Sequence, residues 1–299
     1  MSGIGARPRR GRAGARDEAG QDTGWRLADQ APDPTLATVR AAGVEVPWRA
    51  SRPLAAGDDA IVLLPGLGWR ATGCVVAGSL GPDLPLVALD YPRRWPREGL
   101  PSIAALAGVC LAALDALGLG RVRLAGVSTG GMLALRMALD APGRVSSLAL
   151  VSTAAWGGAV AGPARVEASL ALARMLPRTG FDAFYRRLGP SLVGLRGHVP
   201  DEERPRLWED PMTRGKMRDL LRGIRRLDLR PRLREIEAPA LVVHGVEDRI
   251  FPLPEAEALA RGLPRAALAP IEGAGHFAFV TRRARVADEL RRFWRGGTE

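Results

Sequence analysis

The feature that most restricts how this chain can fold is the run from Val122 to Leu139, where two hydrophobic patterns meet at a serine held between glycines. Val122-Arg123-Leu124-Ala125 alternates as a short buried strand does. Met132-Leu133-Ala134-Leu135-Arg136-Met137-Ala138-Leu139 carries apolar residues at helical spacing and meets no breaker before Pro142. Between them stands Gly126-Val127-Ser128-Thr129-Gly130-Gly131. Gly126 and Gly130 lack a Cβ, so strand and helix can pack closely through a sharp turn. Such a turn holds its serine at sparsely allowed φ/ψ and presents Oγ beside a helix N-terminus. The Thr129 N–H is then expected unpaired, aimed where an oxyanion would form. Read alone, the stretch also fits a glycine-rich strand-to-helix turn with an incidental serine. A base, an acid and a second N–H donor must therefore be sought elsewhere in the chain.

Other segments repeat the strand-then-helix order. Ala60-Ile61-Val62-Leu63-Leu64 is continuously apolar and ends at Pro65-Gly66-Leu67-Gly68. Continuous apolarity predicts a strand covered on both faces, as in a parallel sheet. A helix is expected from about Trp69 to Leu80, a strand at Leu86–Pro92, and a helix from Ile103 to Leu117 opened by Pro101 or Ser102. Strands follow at Val145–Val151, Pro239–Gly245 and Ala266–Ile271, with helices at about Pro254–Arg261 and Val280–Trp294. Residues 36–56 alternate weakly and predict an edge hairpin, where Pro47 is tolerable. Residues 154–235 differ. They hold helical stretches, clustered arginines mixed with acids and no run of strand strength, and read as a helical cap inserted over the sheet. The fold class is therefore α/β: a mostly parallel, doubly covered sheet. The core comprises residues 31–153 and 236–299, the cap 154–235, and residues 1–30 form a disordered Arg/Gly-rich tail.

Charge and cysteine bound the partners. The net charge is +11 over 299 residues. Nearly every base is arginine, with Lys216 the one lysine, a skew that matches a GC-rich coding bias along with the abundant Ala, Gly and Pro. Much of the charge sits in the first sixteen residues or in helix-like stretches that also carry acids, and no nucleic-acid motif accompanies it. A solvated basic face, without nucleic-acid binding, is the expectation; a weak tether of the tail to an anionic surface is the other reading. No apolar run is long enough for a membrane span, and no apolar segment follows the N-terminal arginines to make a signal peptide. Cys74 and Cys110 are read as free thiols, which fits a reducing, cytoplasmic setting. Oligomeric state has no signature in the sequence.

A serine hydroxyl needs a base in hydrogen-bond reach, and the base an orienting carboxylate. The chain has 3 histidines. His198 lies in the insertion beside Gly197 and Pro200. His244 lies inside the apolar strand Leu241–His244 and is expected as a hydrogen-bonded core residue. His276 follows Gly273-Ala274-Gly275, between the last strand and last helix, at the edge of the sheet that carries Ser128. The acid is expected just past a strand end, in Gly245-Val246-Glu247-Asp248. Asp248 is preferred over Glu247, although an Asx turn would equally explain an aspartate there.

With Leu64-Pro65-Gly66-Leu67-Gly68, Gly126–Gly131, Gly245-Val246-Glu247-Asp248 with Pro252, and Gly273-Ala274-Gly275-His276-Phe277, the chain resembles the α/β-hydrolase superfamily with a helical cap over about residues 36–296. The resemblance implies Ser128 as nucleophile, His276 as general base, Asp248 as orienting acid, and the backbone N–H groups of Leu67 and Thr129 as oxyanion donors. It implies no metal and no organic cofactor. Two departures stand out. Pro65-Gly66 replaces the His-Gly of many capped relatives, and Asp90-Tyr91-Pro92-Arg93-Arg94-Trp95 replaces an Asp-x-Arg-Gly-x-Gly stretch, which alters the expected pocket entrance. Trp69, Trp156, Phe181, Phe184, Tyr185 and Phe277, together with Leu188 and Trp208, could line a pocket or simply pack the cap on the sheet. The implied activity is hydrolysis of a small-to-medium apolar acyl ester or thioester, a small-molecule acyl substrate. The cap's arginines could attract an acyl-carrier or coenzyme A thioester. A lactone or C–C bond hydrolase, or a non-hydrolytic acyltransferase or ligand receptor, are the alternatives.

Overall fold

The computed structural model describes residues 37–55, 57–66, 80, 85–92, 102–159, 220 and 222–296. The N-terminal tail, the 69–80 helix except Leu80, Leu67, Trp69, His198, and the cap residues Phe181, Phe184, Tyr185, Leu188 and Trp208 lie outside them.

The described residues form an eight-stranded sheet: β1 (Ala37–Ala41), β2 (Val44–Ala50), β3 (Ile61–Leu64), β4 (Leu86–Leu89), β5 (Val122–Val127), β6 (Val145–Val151), β7 (Ala240–Gly245) and β8 (Ala266–Ile271). Their spatial order is β1-β2-β4-β3-β5-β6-β7-β8. β2 is antiparallel to both β1 and β4, and every other pairing is parallel. The expected edge hairpin is present, but β1 is its edge strand. Pro47 sits one strand inward, opposite Thr38, and its carbonyl accepts from the Asp90 N–H at 2.9 Å. Proline lacks a donor, not an acceptor, so this place in the ladder suits it.

The continuous apolar runs are explained by two cores, one on each face of the sheet. Val62, Leu64, Leu124, Leu148, Leu150 and Val242 face one cluster. Ile61, Leu63, Ala125, Val127, Ala149, Val151, Leu241 and Val243 face the other. Helices α1 (Ile103–Ala116), α2 (Thr129–Asp140) and α3 (Leu253–Gly262) supply buried residues to the first cluster. The short α4 (Ala278–Thr281) and α5 (Arg283–Arg295) supply the second. Ser102 caps α1, its hydroxyl accepting from the Ala105 N–H at 3.1 Å. The closing helix expected as one piece is two, because Arg282 leaves helical geometry (φ −132°, ψ 40°). Burial changes across that break. Phe277, Ala278, Phe279 and Val280 are all buried, whereas α5 buries only Val286, Ala287, Leu290 and Trp294 along one stripe.

The described residues at either end of 154–235, the stretch expected as a cap, run into the first core. Ala154, Ala155 and Ala159 on one side, and Leu220, Ile224, Leu229 and Leu233 on the other, are buried in it. Many arginines pair with nearby acids: Arg136 with Asp140, Arg232 with Glu235, and Arg285 with Glu289. Arg123 bonds Asp59 across the amino ends of the strands. Among the described residues, no helix is long and apolar enough to cross a membrane.

Candidate active site

Strand order places the site. The chain moves outward from β3 to β4, then crosses back to β5 on the other side of β3. Such a reversal leaves a crevice at the carboxyl ends of the two inner strands, where connecting loops diverge. Pro65-Gly66 leaves β3 there, and Ser128 leaves β5.

Ser128 has φ 53° and ψ −117°, a conformation L-residues rarely adopt. Surrounding contacts hold it. Its N–H donates to the Val151 carbonyl at 2.9 Å, and its carbonyl accepts from the Thr153 hydroxyl at 2.6 Å and from the Gly131 N–H at 2.9 Å. Gly130 is where close packing admits no other residue: a Cβ there would run into the Leu64 and Pro65 carbonyls. The turn therefore wedges α2 against the end of β3. Thr129 is buried at the first position of α2, and its N–H has no backbone acceptor among the described residues.

The Asp248 carboxylate is nearly inaccessible and its two oxygens are used differently. Oδ1 accepts from the Ile250 and Phe251 N–H groups at 2.8 and 3.0 Å, which is an Asx turn. Oδ2 accepts from His276 Nδ1 at 2.8 Å. The Asx turn that the sequence allowed at Asp248 therefore occupies one oxygen, and the other oxygen is left to bond His276. Burial alone would push this carboxyl up. The neighbouring His276 imidazole and its N–H, then His244 and the Phe251 N–H, outweigh burial and hold it below the ordinary carboxylate range.

His276 Nε2 lies 3.1 Å from Ser128 Oγ. In the tautomer that donates from Nδ1 to the carboxylate, the acceptor nitrogen of the ring is Nε2, the one that faces the Ser128 hydroxyl. The ring stands between Phe251 at 5.6 Å and Phe277 at 5.7 Å, centroid to centroid. The loops bearing His276 and Asp248 meet at Gly245, where a Cβ would collide with the Ala274 and Gly275 carbonyls. The Glu247 N–H closes that junction by donating to the Ala274 carbonyl at 2.8 Å.

Trp156, read from sequence as a pocket or packing residue, is half-buried. Its Nε1 donates to Glu255 at the start of α3 at 2.8 Å, and the Arg230 guanidinium lies 3.9 Å from its ring centroid. Phe277 is buried in the second core beside His276 and Phe279. Sequence reasoning missed two side chains of this site. One is Thr153, whose hydroxyl anchors the Ser128 carbonyl. The other is His244, which is wholly buried with Nε2 2.7 Å from the Phe251 carbonyl and 3.4 Å from Asp248 Oδ2. His244 was expected as a hydrogen-bonded core residue and is one; its place at the carboxyl end of β7, four residues before Asp248, was the available signal that it also lies against this carboxylate. Burial pushes its imidazole below the ordinary range, against the opposing pull of Asp248 and the Phe251 carbonyl.

The sequence matches the model of the alpha/beta hydrolase family over residues 61–289. A poly(3-hydroxyalkanoate) depolymerase of Ectopseudomonas oleovorans is 31% identical over 222 residues, 72% of this chain and 76% of the relative. A 2-hydroxy-6-oxononadienedioate/2-hydroxy-6-oxononatrienedioate hydrolase of Burkholderia vietnamiensis is 30% identical over 250 residues, 74% of this chain and 82% of that one. Among solved structures, a hydrolase from Pseudomonas aeruginosa PA01 superposes with a TM-score of 0.72 at 23% identity, covering 88% of this chain and 99% of its own, a likeness of fold. Because the family match runs from the first residue of β3 into α5 and takes in every strand of the parallel sheet, this chain belongs to the alpha/beta hydrolase family.

Proposed function

We propose that the chain is a serine hydrolase that cleaves a carboxylic ester or thioester of a small-to-medium apolar acyl group through an acyl-enzyme. The observation that carries this reading is the relay from Ser128 Oγ to His276 Nε2 at 3.1 Å and from His276 Nδ1 to Asp248 Oδ2 at 2.8 Å. Ser128 attacks the carbonyl carbon while His276 takes the hydroxyl proton. Asp248 holds the tautomer and offsets the imidazolium that forms. The Thr129 N–H, with that of Leu67, stabilises the oxyanion, each donor worth on the order of 3 kcal/mol. His276 then gives its proton to the leaving alcohol or thiol, and a water attacks the acyl-enzyme by the same steps in reverse roles. No step in this route calls on a metal or an organic cofactor.

The residues between 154 and 235 would select the acyl group, and their arginines suit an anionic leaving group such as an acyl-carrier or coenzyme A thiol. A relative that is a pimeloyl-[acyl-carrier protein] methyl ester esterase of Nitrosomonas europaea, 31% identical over 172 residues, supports carrier-borne esters as one class. Cys110 is a buried free thiol pushed up to about 12 by desolvation, which keeps it from competing with Ser128 as a nucleophile. The second reading is hydrolysis of a C–C bond beside a carbonyl, favoured by the Burkholderia relative's name and its coverage.

Purified full-length protein assayed on a chain-length panel of p-nitrophenyl esters and acyl thioesters, against Ser128→Ala, tests the reading. Turnover on the panel that falls at least about 10⁴-fold with Ser128→Ala is expected. Turnover of a vinylogous 1,5-diketone with none on the ester panel would favour the C–C reading. Ester turnover untouched by Ser128→Ala would overturn both.

A further inference from the structure

We infer that His244 is a positioning residue for the Asp248–His276 pair and acts on it through Phe251. The inference rests on the reading of Ser128, His276 and Asp248 given above.

Phe251 connects three members of this group. Its N–H donates to Asp248 Oδ1 at 3.0 Å, its carbonyl accepts from His244 Nε2 at 2.7 Å, and its ring lies 5.6 Å from the His276 ring. His244 therefore secures the one residue that both fixes the carboxylate and flanks the base. A carbonyl can only accept, so His244 carries its proton on Nε2. Its Nδ1 is buried with no partner among the described residues, so a second proton there would have no acceptor, and the ring stays neutral. The Nε2–H, aimed at Phe251, also lies 3.4 Å from Oδ2, the oxygen that holds His276. Its dipole places partial positive charge beside that oxygen and tempers the carboxylate field felt by the base.

The ionisable groups acting on His244 are Asp248, in the turn after β7, and His276, in the loop after β8. Ser152 beyond β6, Pro270 in β8 and Phe251 in the turn add no ionisable side chain. A buried, unpartnered Nδ1 is a cost an apolar residue would avoid, and the clamp on Phe251 supplies the compensating role.

The test compares full-length wild type with His244→Phe, which keeps a planar ring and loses the donor, and His244→Gln, whose amide nitrogen reaches the Nε2 position. The first readout is the pH dependence of Ser128 phosphonylation by an alkyl fluorophosphonate, followed by intact mass. His244→Phe is expected to slow the plateau rate about tenfold, as for loss of one hydrogen bond beside a charged group. It should also move the half-plateau pH upward by roughly half a unit, because the carboxylate field on the base is no longer tempered. His244→Gln should recover most of both. A rate loss that Gln does not recover, or a half-plateau pH that stays or falls, would overturn the positioning role and leave His244 as packing.

The second readout needs no reactive serine. In imidazole ¹H–¹⁵N spectra at pH 7.5, His244 should be the neutral Nε2–H tautomer, and His244→Phe should displace the low-field His276 Nδ1–H resonance. A doubly protonated His244, or a His276 resonance indifferent to the substitution, would overturn the inference. Absence of Ser128 labelling in wild type with the spectra as expected would sink the hydrolase reading alone.

Discussion

His244 and His276 approach the same carboxylate oxygen, at 3.4 and 2.8 Å, but their other contacts differ. His244 belongs to strand β7, flanked by β6 and β8, with one nitrogen committed to a backbone carbonyl and the other sealed in the core. His276 belongs to the loop after β8, with one nitrogen on the carboxylate and the other on a serine hydroxyl. Both are buried. What separates them is whether the second nitrogen meets a group that can exchange a proton. A buried histidine is therefore suited to acid–base work by the partner of its free nitrogen, not by burial or by nearness to an aspartate.

The largest effect that can break this comparison is the difference between two substitutions. His276→Ala is expected to cost on the order of 10⁴ in kcat for any ester the wild type turns over, and His244→Phe only about tenfold. Equal losses, measured by steady-state kinetics on folded protein, would erase the distinction. Next in size is Gly245→Ala, which drives a methyl group into the Ala274 and Gly275 carbonyls and so separates the two loops. A loss of about 10² in turnover from misplacement of the base is expected, with a lowered urea midpoint.

The pH dependence of stability sharpens the comparison further. His244 and Asp248 are both held below their ordinary ranges in the folded protein, so the unfolded chain binds more protons at each. Stability must then rise with pH through both ranges. On acidification, the contribution from neutral His244 is lost first, as pH falls through the ordinary imidazole range towards the depressed folded value. The contribution from ionised Asp248 follows at lower pH. Urea midpoints should fall between pH 7.5 and pH 5, and His244→Phe should flatten that part of the curve. The smallest effect is the control. Arg285→Ala on α5 removes one of two exposed arginines that pair with Glu289, leaving Arg292 at 2.9 Å, and should change stability by less than about 0.5 kcal/mol, with turnover unaltered.

Much of this architecture was legible residue by residue. The apolar runs at 61–64, 86–89, 148–151 and 240–243 announce strands covered on both sides because each residue, whichever face it takes, meets a core. Ser102 announces the start of α1 because a hydroxyl one residue outside a helix has an orphan N–H to accept from. The break at Arg282 was less legible, since Val280 and Val286 both carry the apolar signal and periodicity alone bridges them. Asp248 shows the limit from the other side. Its local geometry is an ordinary Asx turn, and only the oxygen facing away from that turn belongs to the site.

The sequence by itself determined the alternation of strands and helices, the sharp glycine-flanked turn at Ser128, and the order serine, aspartate, histidine on loops that each follow a strand. These are local properties, set by sterics and hydrophobic spacing within a few residues. The tertiary structure alone decided that β3 stands between β4 and β5 and opens the crevice, that Thr153 grips the Ser128 carbonyl, and that Phe251 ties His244 to Asp248 and His276. Those relations depend on the register between strands far apart in the chain. A shift of one residue would turn each side chain to the opposite face of the sheet, and no local pattern records which partner stands across the gap.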